Sequence, residues 1–429
     1  MLGTMLAPTL LAADGAWTWF NDTRALFHRG LLYYGYVKHS GSLPAVAVYD
    51  PQTGKGHELF ELDLGLPDRD DHDNPALVVL PDGRLYVSAA SHGHTQNFAN
   101  RRSLPGAAAP LTPQQWEPQR FDPVPEPISY QNLFTLSAEG GRLYNFTRSI
   151  GWNPTLLRSD DNGTSWQPPL HLIKAAGRRR PYVKFASNGV DRIDVIYTTG
   201  HPQSVPCSIY HFFIKGGRLW HSDGSLLSET LSLDTDRGEN GTPIYRHDAP
   251  ASEQPPLPAF GGSGWIWDIA YGPEGEPVVL FQVQTDVPDD FRACRIDYFH
   301  ARWSRDHGWE RRWIARGGRP LYDTERHYGG GMALDPHDPR IISISSNAAA
   351  PFGPGTTAEH PLRPDERYRL YRGLMEGDSP EWTLLGADPA NDYLRPYVPR
   401  GENGRALLCF RGEYRKYTDF STGIVGWFF

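Results

Sequence analysis

The chain has 429 residues, 39% hydrophobic and 21% charged, which is enough for a sizeable core and excludes global disorder. A formal charge of −8 at pH 7 argues against a nucleic-acid protein held by a general basic field, and no apolar run reaches the ~18 residues that a membrane-spanning helix needs. With 44 Gly and 38 Pro, the composition is rich in turn formers and poor ground for a helical bundle.

The first segment, Met1 to Ala13, is apolar but lacks a basic leader and a clear cleavage site. It reads as a signal remnant or as the start of the first strand. From there on the periodicity is mostly two, broken by turn signals. Leu77–Leu80, then Pro81-Asp82-Gly83-Arg84, then Leu85–Val87 reads as strand, turn, strand. The same grammar recurs over Trp17–Tyr36, His72–His92, Tyr130–Arg148, Tyr182–His201, Trp265–Gln282, Tyr328–Ser345 and Tyr393–Arg411. Turns are expected at Glu139-Gly140-Gly141-Arg142, Ser187-Asn188-Gly189, Gly272-Pro273-Glu274-Gly275, Asp335-Pro336-His337-Asp338 and Gly401-Glu402-Asn403-Gly404. Seven units of this size and strand content predict an all-β fold, a seven-bladed β-propeller that uses residues 1–429 as a single domain. Ser159 to Trp166 fits the S-x-D-x-G-x-[ST]-W turn of sialidase-type propeller blades, a folding element.

Three cysteines, Cys207, Cys294 and Cys409, lie far apart with no CxxC, so neither a disulfide framework nor a zinc ribbon is written here. Only 6 of the 42 basic residues are Lys; the Arg bias permits recognition of carboxylate or sulfate groups, although codon usage explains it equally well.

In a propeller the innermost strands line a central channel, and their ends ring its two mouths. The unit starts here are polar and aromatic: His72, Asn74, Tyr130, Asn132, Arg180, Tyr182, Trp265, Asp268, His327, Tyr328 and Arg395. The unit ends add His92, His94, Arg148, His201 and Arg411. This convergence of His, Tyr and Arg suits β-elimination on a uronic acid. A base removes the C5 proton, a cation neutralises the carboxylate as enolate-like charge builds, and an acid protonates the departing O4. Imidazole and phenol do both proton jobs without metal.

Asp70-Asp71-His72-Asp73-Asn74-Pro75-Ala76, with Ser91-His92-Gly93-His94, resembles the second blade of the propeller ulvan lyases and of the related lyases acting on rhamnosyl-glucuronate linkages. Ser129-Tyr130-Gln131-Asn132 with Phe146-Thr147-Arg148 resembles the next blade, and Arg180-Pro181-Tyr182 with Thr199-Gly200-His201-Pro202 the fourth. The resemblance implies a polysaccharide lyase acting on a rhamnose- and uronate-containing anionic polysaccharide. It implies His72, His92, Tyr130 and Arg148 as the catalytic set, with His72 and Tyr130 transferring protons, His92 supporting them and Arg148 on the carboxylate. Asn74, Tyr182, His94, His327 and Tyr328 are the expected substrate contacts. No cofactor is required for catalysis. A structural zinc or calcium is compatible with the resemblance, with His201, Cys207, His211 and His221 as zinc candidates by proximity. The expected partner is the polysaccharide alone, with no nucleic acid and no membrane; a monomer and a secreted or periplasmic location are expected.

Two alternatives stand beside this. One is a propeller glycoside hydrolase, such as an α-L-rhamnosidase acting on rhamnosyl-glucuronate. It is disfavoured because hydrolysis generally uses two carboxylates, roughly 5–9.5 Å apart, and the polar ring offers Asp268 and few other acids. The other is a non-catalytic carbohydrate-binding propeller. Trp17 and Trp265 are expected as core or channel aromatics, and Arg178-Arg179-Arg180 as a solvated loop more readily than a sulfate cradle.

Overall fold

The computed structural model describes residues 7–429 apart from positions 42, 67–68, 108, 110, 178, 251–261, 286–289, 291–292, 354–366, 378 and 403–404. Of the features singled out above, residues 1–6, Arg178 and the Asn403-Gly404 half of the last turn lie outside the described residues.

Seven antiparallel sheets follow one another along the chain. Their innermost strands are Ala25–His28, Ala76–Val79, Ser129–Leu136, Val183–Ser187, Ser263–Tyr271, Met332–Leu334 and Asp392–Tyr397, which begin blades 1 to 7. Each predicted unit covers the two innermost strands of one blade. The expected turns join them where tight turns favour Gly, as at Gly83 with φ +82° and Gly275 with φ +79°. The last connection differs. Arg400–Gly401 leaves blade 7 and pairs in parallel with Leu26 and Phe27 of blade 1.

Ring closure comes from the start of the chain. Thr9–Ala12 pairs antiparallel with Asp419–Phe428, in register Thr9 to Gly426, as the outermost strand of blade 7. This removes the open edge that the last sheet would otherwise present. Among the described residues the only helical pieces are 3-10 turns of three residues each.

Alternation sends one face of each strand against the neighbouring blade. Phe146 of blade 3 stacks on Phe185 of blade 4 at 4.3 Å between ring centres. The S-x-D-x-G-x-[ST]-W turn is an adapter of this kind. Asp161 accepts from the Ser165 amide and hydroxyl at 2.8 and 2.6 Å, which presents Trp166 edge-on to Phe98 of blade 2 at 5.5 Å. Gly163 is required there, since φ is +76° and a Cβ would stand 2.6 Å from the Tyr86 ring.

The channel is plugged. Trp17 to Phe20, which precede blade 1, lie in it almost fully buried, and Trp19 stacks on Trp267 of blade 5 at 4.1 Å. Deeper still, Lys184 of blade 4 is ion-paired with Asp22. Trp17 and Trp265 are therefore channel aromatics, each 1% exposed. What remains open is a pit at the mouth where the innermost strands begin.

Candidate active site

Blade 2 supplies the centre of the pit. Asp70 caps the short turn Asp71–Asp73, its Oδ1 accepting from the His72 amide at 3.0 Å, and Asn74-Pro75 ends that turn. The cap brings the Asp70 carboxylate against two imidazoles. Its Oδ1 also takes His72 Nδ1, and its Oδ2 takes His92 Nδ1 at 2.7 Å. The two rings stack at 4.1 Å with 10° between their planes.

The hydrogen-bond partners fix the state of His92. A carboxylate only accepts, so Nδ1 carries the proton. A guanidinium only donates, and Arg148 Nη2 lies 2.9 Å from Nε2, so Nε2 holds a lone pair. His92 is thus neutral, and burial, with the charge of His72 next, pushes its pKa down to about 4. His72 goes the other way. Burial disfavours its imidazolium, but Asp70, joined by Asp71 Oδ1 at 3.2 Å from Nδ1, outweighs that and raises its pKa. Burial by itself would raise Asp70, yet the two histidines hold its carboxyl well below the usual range. Two stacked rings on one carboxylate are thereby split into one charged and one neutral partner.

They also differ in access. The His72 side chain is 1% exposed and that of His92 is 20% exposed. The expectation that His72 leads proton transfer with His92 in support does not match this placement: His72 is the shielded ring, and its Nε2 faces Tyr328 Oη at 3.5 Å.

Blade 3 adds Tyr130 and Arg148. The innermost strand bulges between Ser129 and Asn132, and Tyr130 sits in the bulge with φ +62°. Such a conformation is costly for a bulky residue and is held by its surroundings. It turns the ring out of the strand's alternation and over the pit, 6.0 Å from the His92 ring. Burial pushes the Tyr130 phenol well above its ordinary value, so it keeps its proton. Arg148 lies among aromatic faces, 4.7 Å from the centre of Tyr130, 5.1 Å from Trp152 and 5.4 Å from Tyr182. Its Nη1 donates to Tyr182 Oη at 3.0 Å, its Nε has no acceptor, and no carboxylate pairs with it among the described residues. A buried guanidinium without an acid is an open demand for an anion.

Other expected contacts divide. Tyr182 is in the pit, its Oη 3.4 Å from that of Tyr130. Tyr328 touches His72 from behind and is 2% exposed. His327 is equally enclosed, packed on Trp265 at 4.0 Å. Asn74 is corrected to a structural residue: fully buried, its Oδ1 accepts from Thr18 N and Asn21 Nδ2, each at 3.0 Å. His94 is exposed on the turn beyond His92. Asn132 donates to Phe20 O and Phe146 O, and Arg411 pairs with Asp388 away from the pit. Asp268 accepts from the amides of Ile269 and Leu334 at 2.9 Å each, so the acid that a hydrolase would need is committed to backbone.

The four zinc candidates do not converge. His211 bonds Ser222 and Asp194, Cys207 donates to Gly200 O, His201 Nδ1 accepts from Gln203 N, and His221 lies by Thr242. Among the described residues, the one group with ligand atoms within 4.8 Å of one another is Asp70, His72 and His92, whose facing atoms already bond each other.

Some members of the site escape a reading by units. Asp70 adjoins His72 in sequence, and the Asp-Asp run was its signal. Asp71 is held by Arg395 Nη1 and Tyr414 Oη of blade 7, both at 2.6 Å, and Arg395 occupies a second bulge with φ +48°. Tyr417, in the last hairpin turn, stands edge-on to His72 at 5.1 Å. No local pattern marks either.

Comparison with known proteins agrees with this architecture. No curated protein matches the chain. Among solved structures, an ulvan lyase of a new polysaccharide lyase family, PL25, determined alone and bound to -[GlcA(1-4)Rha3S]-, is similar with a TM-score of 0.68 at 14% identity, over 97% of this chain and 95% of that one. The polysaccharide lyase Uly1 is similar at a TM-score of 0.59 and 11% identity, over 99% of this chain and 92% of that one. At such identities the likeness establishes the seven-bladed fold. The profile of the BNR repeat-containing family matches residues 31–316, more than half of the sequence, and the chain belongs to that family.

Proposed function

We propose that the protein is a polysaccharide lyase that cleaves a uronate-containing anionic polysaccharide of the ulvan type, built from rhamnose and uronic acid, by β-elimination without metal. The observation that carries this is a neutral imidazole and a carboxylate-free guanidinium meeting at 2.9 Å beside a protonated phenol in one pit. The uronate carboxylate takes Arg148, which releases His92 Nε2 from its donor. His92 removes the C5 proton, with Asp70 holding Nδ1 and steadying the imidazolium that forms. Charge moving onto the carboxylate is met by Arg148 in a site poor in water. As the C4–C5 double bond forms and the C4–O4 bond breaks, Tyr130 donates its proton to O4. His72 stays behind as the fixed imidazolium that keeps His92 neutral.

The nature of the neighbouring structures supports this reading, as they are lyases and one holds a glucuronate–rhamnose sulfate ligand. The test is incubation with ulvan and, separately, with gum arabic while following the unsaturated-uronate chromophore and total reducing ends. A lyase produces both together. Reducing ends without chromophore would replace the proposal by a hydrolase, and neither would leave a binding propeller.

A further inference from the structure

Beside Tyr182 the same mouth holds a second set of groups that elimination does not use. His201 packs against Tyr182 at 5.2 Å and meets His327 edge-on at 4.9 Å. His327 is 2% exposed and its Nε2 has no hydrogen-bond partner; the nearest acid, Glu325, stands 3.8 Å away. His201 Nδ1 accepts from Gln203 N at 3.2 Å, which leaves the proton on Nε2. Arg180, two residues before Tyr182, is half-buried with φ +48°, and its Nε is enclosed without an acceptor. The charge of Arg180 is felt by both His201 and Glu325, so the groups share one neighbourhood.

The contrast with Arg395 is instructive. That arginine has the same left-handed backbone, but its guanidinium is fully engaged by Asp71, Trp17 O and Tyr414. Arg180 has the strain and none of the partners. Strained backbone and an orphaned buried donor together mark a group held for something outside the protein.

We propose that Arg180, with His201 and His327, is a second anion subsite that holds an acidic substituent, a sulfate ester or a second carboxylate, on the sugar adjoining the uronate held by Arg148. The subsite rests on the lyase reading for its neighbour, and it narrows the substrate to chains carrying two negative groups about one sugar apart. An oxyanion there gains charge-assisted hydrogen bonds from a planar fork, the geometry Arg offers and Lys does not.

The experiment compares wild type, Arg180→Gln and Arg180→Lys on a sulfated rhamnose–uronate polysaccharide, on the same polymer after desulfation, and on an unsulfated polyuronate. Arg180→Gln is expected to raise KM on the sulfated polymer roughly tenfold or more with kcat nearly kept, to leave the desulfated polymer unaffected, and to be partly rescued by Arg180→Lys. A loss confined to the polyuronate would identify a carboxylate as the occupant. Equal effects on all three polymers, or none on any, would overturn the subsite. Binding is read separately by calorimetry in a His92→Ala background with a sulfated oligosaccharide. If no polymer is cleaved the lyase reading fails, while an unchanged affinity on adding Arg180→Gln refutes the subsite.

Discussion

Replacing Arg148 by Met separates catalysis from folding. The guanidinium touches His92 Nε2 and Tyr182 Oη and pairs with no acid among the described residues. In the transition state it would make two charge-assisted bonds to the uronate carboxylate, each worth roughly 1.5–3 kcal/mol. At about 1.4 kcal/mol per decade, kcat/KM should fall roughly a hundredfold to ten-thousandfold. Because the substitution removes a buried charge that no carboxylate balances, stability should stay within about 1 kcal/mol of wild type. A third readout is specific to the wiring. Arg148 is among the charges that hold His92 down to about 4, after burial and His72, so its removal should raise the His92 pKa. Turnover on ulvan, a denaturant melt and an NMR titration of the imidazole give the three numbers. A rate within tenfold of wild type, or a His92 pKa that does not rise, would refute the assignment.

Tyr130→Phe should lower kcat by about a hundredfold to ten-thousandfold with little change in KM, measured on the same chromophore. Exhaustive dialysis against a chelator should leave the wild-type rate unchanged, because both Asp70 oxygens are already committed to imidazole Nδ1 atoms; loss restored by a divalent ion would oppose this. Stability should fall as the medium is acidified below the ordinary histidine value near 6.5. His92 at about 4, His201 at about 3 and His300 at about 4 resist protonation when folded, so the unfolded chain binds more protons across that window. Each is worth on the order of 3 kcal/mol. The raised His72 opposes them, its contribution being full below 6.5 and lost as pH rises through its folded value. A melting temperature flat from pH 7 to pH 4 would contradict the sum.

The parts of the site that were legible in the sequence are those fixed by a single blade. His72 and His92 flank one pair of strands, as Tyr130 and Arg148 flank the next, so repeat spacing placed them at one mouth. What spacing could not convey is depth. Which histidine meets solvent depends on Asp70 bridging both and on Tyr417 arriving from the last hairpin. Partners more than 200 residues apart, such as Tyr328 on His72 and Arg395 on Asp71, arise only when blades 6 and 7 close on blade 2. Bulges are invisible for another reason. The strand over Ser129–Leu136 reads as ordinary alternation, and only the register shift at Tyr130 reveals that its ring leaves the pleat. Asn74 misled because a polar residue beside a site histidine may equally brace the turn, and here it binds Thr18 and Asn21.

Ring closure by Thr9–Ala12 carries a consequence for biogenesis. That strand leaves the ribosome first, yet its hydrogen-bonding partner, Asp419–Phe428, is made last. It must wait through synthesis of nearly the whole polypeptide, and Asp71 waits with it for Arg395 and Tyr414. A nascent chain halted anywhere before the final hairpin therefore lacks both its fastener and the brace behind its histidines, so partial products should be inert as well as unstable.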